Sequence, residues 1–420
     1  MEFFSIANGV NMYYLKDEKY KTASLCISLK NELTRENVTK NALLSKVLRR
    51  GTSKLNSIEK INPYLETLYG ARFDVFSSKK ANLMFLNCAV TAISNRYTNE
   101  DCVLETAHLM LDFIYDPYMP DGNFFGEYVN SEKINLKDDI EASINDKRAY
   151  ATQRCVDIMC EGEYSSIHEN GYVEDLEHIN VQNLTEYYKE TVKKCPVDIF
   201  VLGSCEPDAI YAMLKDYFKD FAPCINPEIA LNARAVSGEI KNVSEAMDVN
   251  QGKLSIGLRT SVKATDSDYY ALLVANSVLG SGAHSKLFCN VREKLSLCYY
   301  VYSRLDRLSG LMLIGAGIEF DKFEQTKNAI DEQINAVKNG NFTEAELDIS
   351  KKFLVNIFKT QNDSQFAMRD FYYTNLLCGI DMTIDKVIDT ILNVTKDDVI
   401  NVFKKLEYDT VYFLKGREKV

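Results

Sequence analysis

Apolar positions recur in the same order at the ends of two halves of the chain. Asn180–Ser204 places Leu184, Tyr187, Tyr188 and Val192 on one helical face and runs on into an apolar strand that closes at Gly203. Asn393–Gly416 repeats the pattern: Thr395 and Asp398 form a capping box, Val399, Val402, Phe403 and Leu406 follow at helical spacing, and a strand closes at Gly416. The openings match as well. Ala23–Leu29 and Lys253–Leu258 read as short strands, each followed by a polar turn and an apolar-periodic helix; the second of these helices is predicted to start near Thr265 and to stop before Gly280. Long helical runs at Glu100–Tyr115, Phe320–Lys338 and Thr343–Thr360, the last behind a Thr343–Glu346 capping box, alternate with strand runs. The pattern predicts an α+β unit that occurs twice through internal duplication.

Length and composition agree with two cores. A chain of 420 residues exceeds the roughly 250–300 at which single cores stop growing. Pro223 and Pro227 stand near the middle with no proline after them, which predicts domains at 1–220 and 241–420 joined by a linker at 221–240. A hydrophobic share of 46%, with no apolar run near the roughly 20 residues that span a bilayer, argues against a membrane protein. The N-terminus alternates like a strand pair and lacks a basic, apolar leader pattern, so the expected location is the cytoplasm. The eleven cysteines, an odd number without paired short spacings, read as reduced and mostly buried thiols. A net charge of −11 argues against nucleic acid as a partner.

Candidate chemistry concentrates in Leu279–Ser303, where a loop with Gly280, Ser281 and Gly282 leads to a helix bearing Arg292 and then a strand bearing Tyr299. Ser285 rather than glycine precedes Lys286, and a helix precedes the loop, so it is no phosphate-binding loop; its small residues would let a substrate backbone approach. Taken singly, Arg292 reads as a surface residue beside acids and Tyr299 as a strand aromatic. Together they offer a fixed fork of N–H donors and a hydroxyl, which can hold a peptide carbonyl and stabilise an oxyanion. The four histidines suggest no metal site: His108 is expected to pack with Leu104 and Leu111, His168 and His178 lie in a loop-like stretch, and His284 is in the glycine loop.

Gly280, Gly282, Ser285, Leu287, Phe288, Arg292, Glu293, Lys294, Leu297 and Tyr299 stand in an order that closely resembles the pitrilysin and mitochondrial-processing-peptidase (M16) family of metallopeptidases. The resemblance covers essentially the whole chain. It implies two homologous α/β-roll domains, each an antiparallel sheet packed with helices, and assigns Arg292 and Tyr299 to substrate binding and oxyanion stabilisation. The family's zinc motif, H-x-x-E-H, falls on the helix NALLSKVLRRGT, where its two histidine positions are Ala42 and Lys46 and its glutamate position is Ser45. None of the three can replace its counterpart. Asp139 matches the third ligand and Glu132 the acid upstream of it, and without histidines Asp139 is expected to be a solvated helix acid. Ser296 stands where the family commonly has glycine. The resemblance therefore implies a chain without zinc or another cofactor of its own, inactive alone. It would supply Arg292 and Tyr299 in trans to a homologous subunit that carries H-x-x-E-H and zinc, acting on a peptide or protein substrate. The alternative is a scaffold or peptide-binding module of the same fold with no part in proteolysis. A narrower likeness is to a bacterial subgroup of inactive members associated with aminopentanol modification of elongation factor P.

Overall fold

A computed structural model of the chain describes residues 1–231 and 238–417, so the predicted linker at 221–240 lies in part, at 232–237, outside the described residues. In the first half, strands β1 (Glu2–Ala7), β2 (Val10–Lys16) and β3 (Thr22–Glu32) precede helices α1 (Val38–Leu48) and α2 (Ile58–Thr67). Strands β4 (Arg72–Lys80) and β5 (Leu83–Ile93) follow, then helices α3 (Cys102–Tyr115), α4 (Gly126–Ala142), α5 (Lys147–Met159), α6 (Val173–Leu176) and α7 (Val181–Lys194), strand β6 (Val197–Gly203) and helix α8 (Asp208–Tyr217). The second half holds β7 (Lys241–Met247), β8 (Gly252–Arg259), α9 (Tyr269–Gly280), a π-helix at Leu287–Lys294, β9 (Cys298–Asp306) and β10 (Leu311–Ile318). It closes with α10 (Phe323–Lys338), α11 (Glu344–Gln361), α12 (Gln365–Leu377), α13 (Ile384–Asn393), α14 (Lys396–Phe403) and β11 (Glu407–Gly416).

Duplication is visible in the sheets. The first runs β1-β2-β6-β3-β5-β4 and the second β7-β11-β8-β10-β9. Each contains one parallel pair, β2 with β6 and β7 with β11, and is otherwise antiparallel. The second sheet is the first without β1. In both, the closing helix and strand pack as their periodicity requires: Leu184 and Tyr188, and Val399, Val402, Phe403 and Leu406, are buried in the cores of their own units. Both predicted capping boxes form. Helix α9 begins at Tyr269 rather than near Thr265, because Asp266 accepts from the Lys263 amide and closes a separate turn first.

The compact units are not the two continuous halves. One comprises Met1–Ala142 with Ile167–Ile229; the other comprises Ser143–Ser166 with the residues from Ala230 onward. The predicted 1–220 domain thus gives up α5, which covers a face of the second sheet: Ala151 and Cys155 pack with Tyr412 and Leu414, and Val156 and Met159 with Leu311 and Leu313. Gly257 on β8 permits the contact, since a Cβ there would lie 2.6 Å from the Met159 sulfur. Polar anchors hold the segment. Buried Arg259 donates from Nη1 and Nη2 to Glu163 at 3.1 and 2.8 Å, and from Nε to Asp409 at 3.0 Å. Arg154 donates from Nη2 to Glu245 at 2.7 Å. Among the described residues no helix is long and apolar enough to cross a membrane.

Candidate functional site

Helix α1 packs against α4 and presents the three degenerate metal positions. Ala42 is buried and has no donor atom. Ser45 is buried too, and its hydroxyl donates to the Ala42 carbonyl at 2.9 Å, so it is turned into its own helix. Lys46 Nζ lies 2.6 Å from Asp139 Oδ2. Asp139, expected as a solvated acid, is therefore ion-paired, and its partner occupies the second histidine position. One helical turn on, Arg50 pairs with the mostly buried Glu132 at 3.2 Å, stacks 4.7 Å above Tyr128, and leaves Glu132 to accept from Asn135 at 3.0 Å. Lys46, Arg50, Glu132, Asn135 and Asp139 line a cleft of about 650 Å³. The residues do not fit zinc, because an ammonium stands where a nitrogen lone pair is needed and the two carboxylates already neutralise cations. Among the described residues no three His, Cys, Asp or Glu side chains converge as a metal-ligand set. His108 is exposed, since α3 turns Thr106, Ala107 and Met110 to the core instead.

In the second unit the structure brings Arg292 and Tyr299 to one cleft of about 400 Å³, lined also by Ser296, Cys298, Glu319 and Lys322. Three local irregularities place them. Arg292 lies in the π-helix, whose Leu295 amide donates to the Asn290 carbonyl at 3.1 Å; such widened turns are often found at functional sites. Ser296 takes the left-handed φ of +50° that glycine adopts without strain, so the turn is kept without the residue that favours it. At Tyr299 the ladder to β10 slips: Tyr300 faces Gly317 and Cys298 faces Ile318, which leaves Tyr299 as the extra residue of a bulge. Bulges re-aim side chains, and Tyr299 is 61% exposed.

Both side chains are held loosely. The Arg292 guanidinium lies 4.6 Å from the Phe288 ring centroid and 3.5 Å from Glu293, and the Tyr299 hydroxyl reaches Glu319 at 3.5 Å. Their donors open on the same space and could bind a carbonyl oxygen there. Burial pushes the Cys298 thiol up to about 11 against the opposing effect of Arg292, so the cleft offers no thiolate nucleophile at neutral pH. Glu319 and Lys322 carry no sequence signal for this cleft, as they follow β10 and are brought there by the pairing of Ile318 with Cys298.

The glycine loop has a different neighbour from the one its small residues suggest. A Cβ at Gly280 would lie 2.6 Å from the Ser303 backbone nitrogen, and the Ser281 hydroxyl accepts from Asn276 at 2.8 Å, so this loop is sewn to β9 and α9. Gly282 (φ +98°) turns the chain beside Phe353, and His284, lowered in pKa by burial, lies against the same ring at 5.1 Å.

A duplicated α+β roll with a metal-binding helix stripped of its ligands defines a class: a peptidase fold without the means for zinc catalysis. The chain belongs to the M16 peptidase family. Residues 178–354 match the family's pattern described as Peptidase M16 inactive domain. A probable inactive metalloprotease of Bacillus subtilis, YmfF, is 34% identical over 99% of this chain and 98% of its own. An uncharacterized zinc protease of the same organism, YmxG, is 25% identical over 56% of this chain and 57% of its own. Among solved structures, a conserved protein from Enterococcus faecalis V583 superposes with a TM-score of 0.93 at 29% identity, covering 100% of this chain and 99% of that one.

Proposed function

We propose that this chain is the non-catalytic subunit of an M16-type zinc peptidase, and that Arg292 and Tyr299 contribute substrate binding in trans to a homologous subunit bearing H-x-x-E-H and zinc. The observation that carries this reading is the asymmetry between the two clefts. At the metal positions, Lys46 is spent on Asp139 and no ligand remains. At the other cleft, Arg292 and Tyr299 point at open space with weak partners of their own. A catalytically empty chain that keeps exposed carbonyl-binding donors makes chemical sense beside a chain that has the metal. Bacillus subtilis, which holds the YmfF relative, also holds the zinc protease YmxG, so a pairing of this kind has both components in one cell. The cytoplasm and a peptide or protein substrate belong to the same reading, as does the likeness to the subgroup associated with elongation factor P.

The test is reconstitution. The purified chain is expected to cleave no peptide alone, and cleavage is expected on addition of the zinc-bearing homologue from the same organism. Arg292→Ala and Tyr299→Phe should each lower kcat/KM of the mixture by about 10²–10³, the scale of a lost oxyanion donor. Unchanged activity in both variants would sink the reading. Full activity of the homologue alone, unaffected by this chain, would favour a scaffold without a role in proteolysis.

A further inference from the structure

Beyond the end of α5, the face of the second sheet that this helix covers continues as a platform of unusual composition. Lys253, Gly317 and Tyr300 form one row across β8, β10 and β9, and Ser255, Gly315 and Tyr302 the next. The two glycines leave a hollow into which the tyrosine rings fold: a Cβ at Gly315 would lie 2.6 Å from the Tyr302 ring, and one at Gly317 would collide with Tyr300. The rings stack at 6.2 Å and 25°. Over them lies Arg148, 4.6 Å from the Tyr300 centroid and 4.2 Å from that of Tyr302. Lys253 Nζ is 5.5 Å from the Tyr300 ring.

The cations of this platform lack carboxylate partners among the described residues. Arg148 is exposed, and among the described residues its guanidinium makes ring contacts and no hydrogen bond or ion pair, so its N–H donors are available. Lys253 bonds only the amide oxygen of Gln251. Burial first, and then Arg148, lower its pKa, while Asp146 acts the other way. Asp146 itself is occupied as the cap of α5, accepting from the Arg148 and Ala149 amides at 3.0 Å. Arg304, two residues beyond Tyr302 on the same side of β9, is exposed. On a chain of net charge −11, this is a local excess of positive charge laid on aromatic rings.

We propose that this face binds an acidic peptide segment, whose carboxylates engage Arg148 and Lys253 while its backbone lies along the tyrosine rings. The arginine fork matches a carboxylate in shape, and stacking fixes the fork before the ligand arrives. A nucleic-acid strand would also present anions to such a surface, but the strongly acidic chain around it repels an extended phosphate backbone. The proposal stands on this face alone and does not depend on Arg292 or Tyr299.

Fluorescence anisotropy with a labelled octapeptide of alternating Glu and Gly, and with its Gln counterpart, tests it on the full chain. The acidic peptide should bind at least about tenfold more tightly in low salt and lose most of that advantage in 0.5 M NaCl, as exposed ion pairs are screened. Arg148→Gln with Lys253→Gln should abolish the preference, while Lys352→Gln with Lys359→Gln, an equal charge loss on the exposed side of α11, should leave it. Because Arg148 is exposed, Arg148→Gln alone guards against misfolding of the double variant and should cut the preference severalfold. Equal binding of the two peptides, no binding of either, a preference that survives the double variant, or tighter binding of a single-stranded oligonucleotide of equal charge would each overturn the proposal.

Discussion

Two ion pairs in this chain look alike on paper and differ in what their loss should cost. Lys46 and Asp139 are 29% and 56% exposed, so Lys46→Met frees a carboxylate that water can solvate, and a stability loss under about 1 kcal/mol is expected. Arg259, by contrast, is 4% exposed between Glu163 and Asp409. Arg259→Met takes the cation away from two buried carboxylates, and a loss of about 3–5 kcal/mol should appear in denaturant unfolding. Ser296 carries the opposite opportunity. Its left-handed φ costs roughly 1–2 kcal/mol in an L-residue, so Ser296→Gly should raise stability by roughly 0.5–1 kcal/mol after the added flexibility of the unfolded chain is counted. A lower melting temperature in that variant would show that the Ser296 side chain makes a compensating contact. The sequence foretold the positions of Lys46 and Ser296 through the family pattern. Lys46 and Asp139 are 93 residues apart, and only that same pattern, which gives both to one metal site, brings them together; spacing along the chain does not.

At the scale of elements, local chemistry was readable and long-range packing was not. Thr343 with Glu346 and Thr395 with Asp398 announce helices α11 and α14 because both halves of each cap lie within one turn. The bulge at Tyr299 gave no such sign, since it is defined by the partner strand β10. Helix α5 was the largest surprise of this kind: its own apolar residues are ordinary, and only contact with β8, β10 and β11 shows which sheet they serve. Its attachment has a measurable pH signature. Hydrogen bonds from Arg154 first, and from Tyr412 and Tyr150, hold the Glu245 carboxyl below the usual glutamate range despite partial burial. A carboxylate with a depressed pKa stabilises the fold fully above its unfolded value, near 4.3, and loses that contribution as pH falls through the folded value. Melting temperatures of the wild type should therefore fall more steeply below about pH 4.3 than those of Glu245→Gln, and parallel curves would refute the assignment.

For the molecule as a whole, the duplication was legible because both halves close with the same helix and strand, and both sheets share one strand order. The division into continuous domains was not, because the chain passes between its two units three times. A fragment covering residues 241–420, which composition alone would select, lacks the helix that covers Leu311, Leu313, Tyr412 and Leu414. It should be aggregation-prone, and adding Ser143–Ser166 should restore a cooperative melting transition; a soluble, cooperatively folded 241–420 fragment would show that α5 is dispensable. The same threading sets an order of events during synthesis. Helix α5 leaves the ribosome well before β11, which completes its seat. Roughly 250 residues separate Met159 from Leu414, and at about 5–20 residues per second they take about 10–50 s to translate. For that interval Ala151 and Cys155 lack the Tyr412 and Leu414 side chains they pack against, so a nascent chain stalled before β11 should be a binding target for holding chaperones.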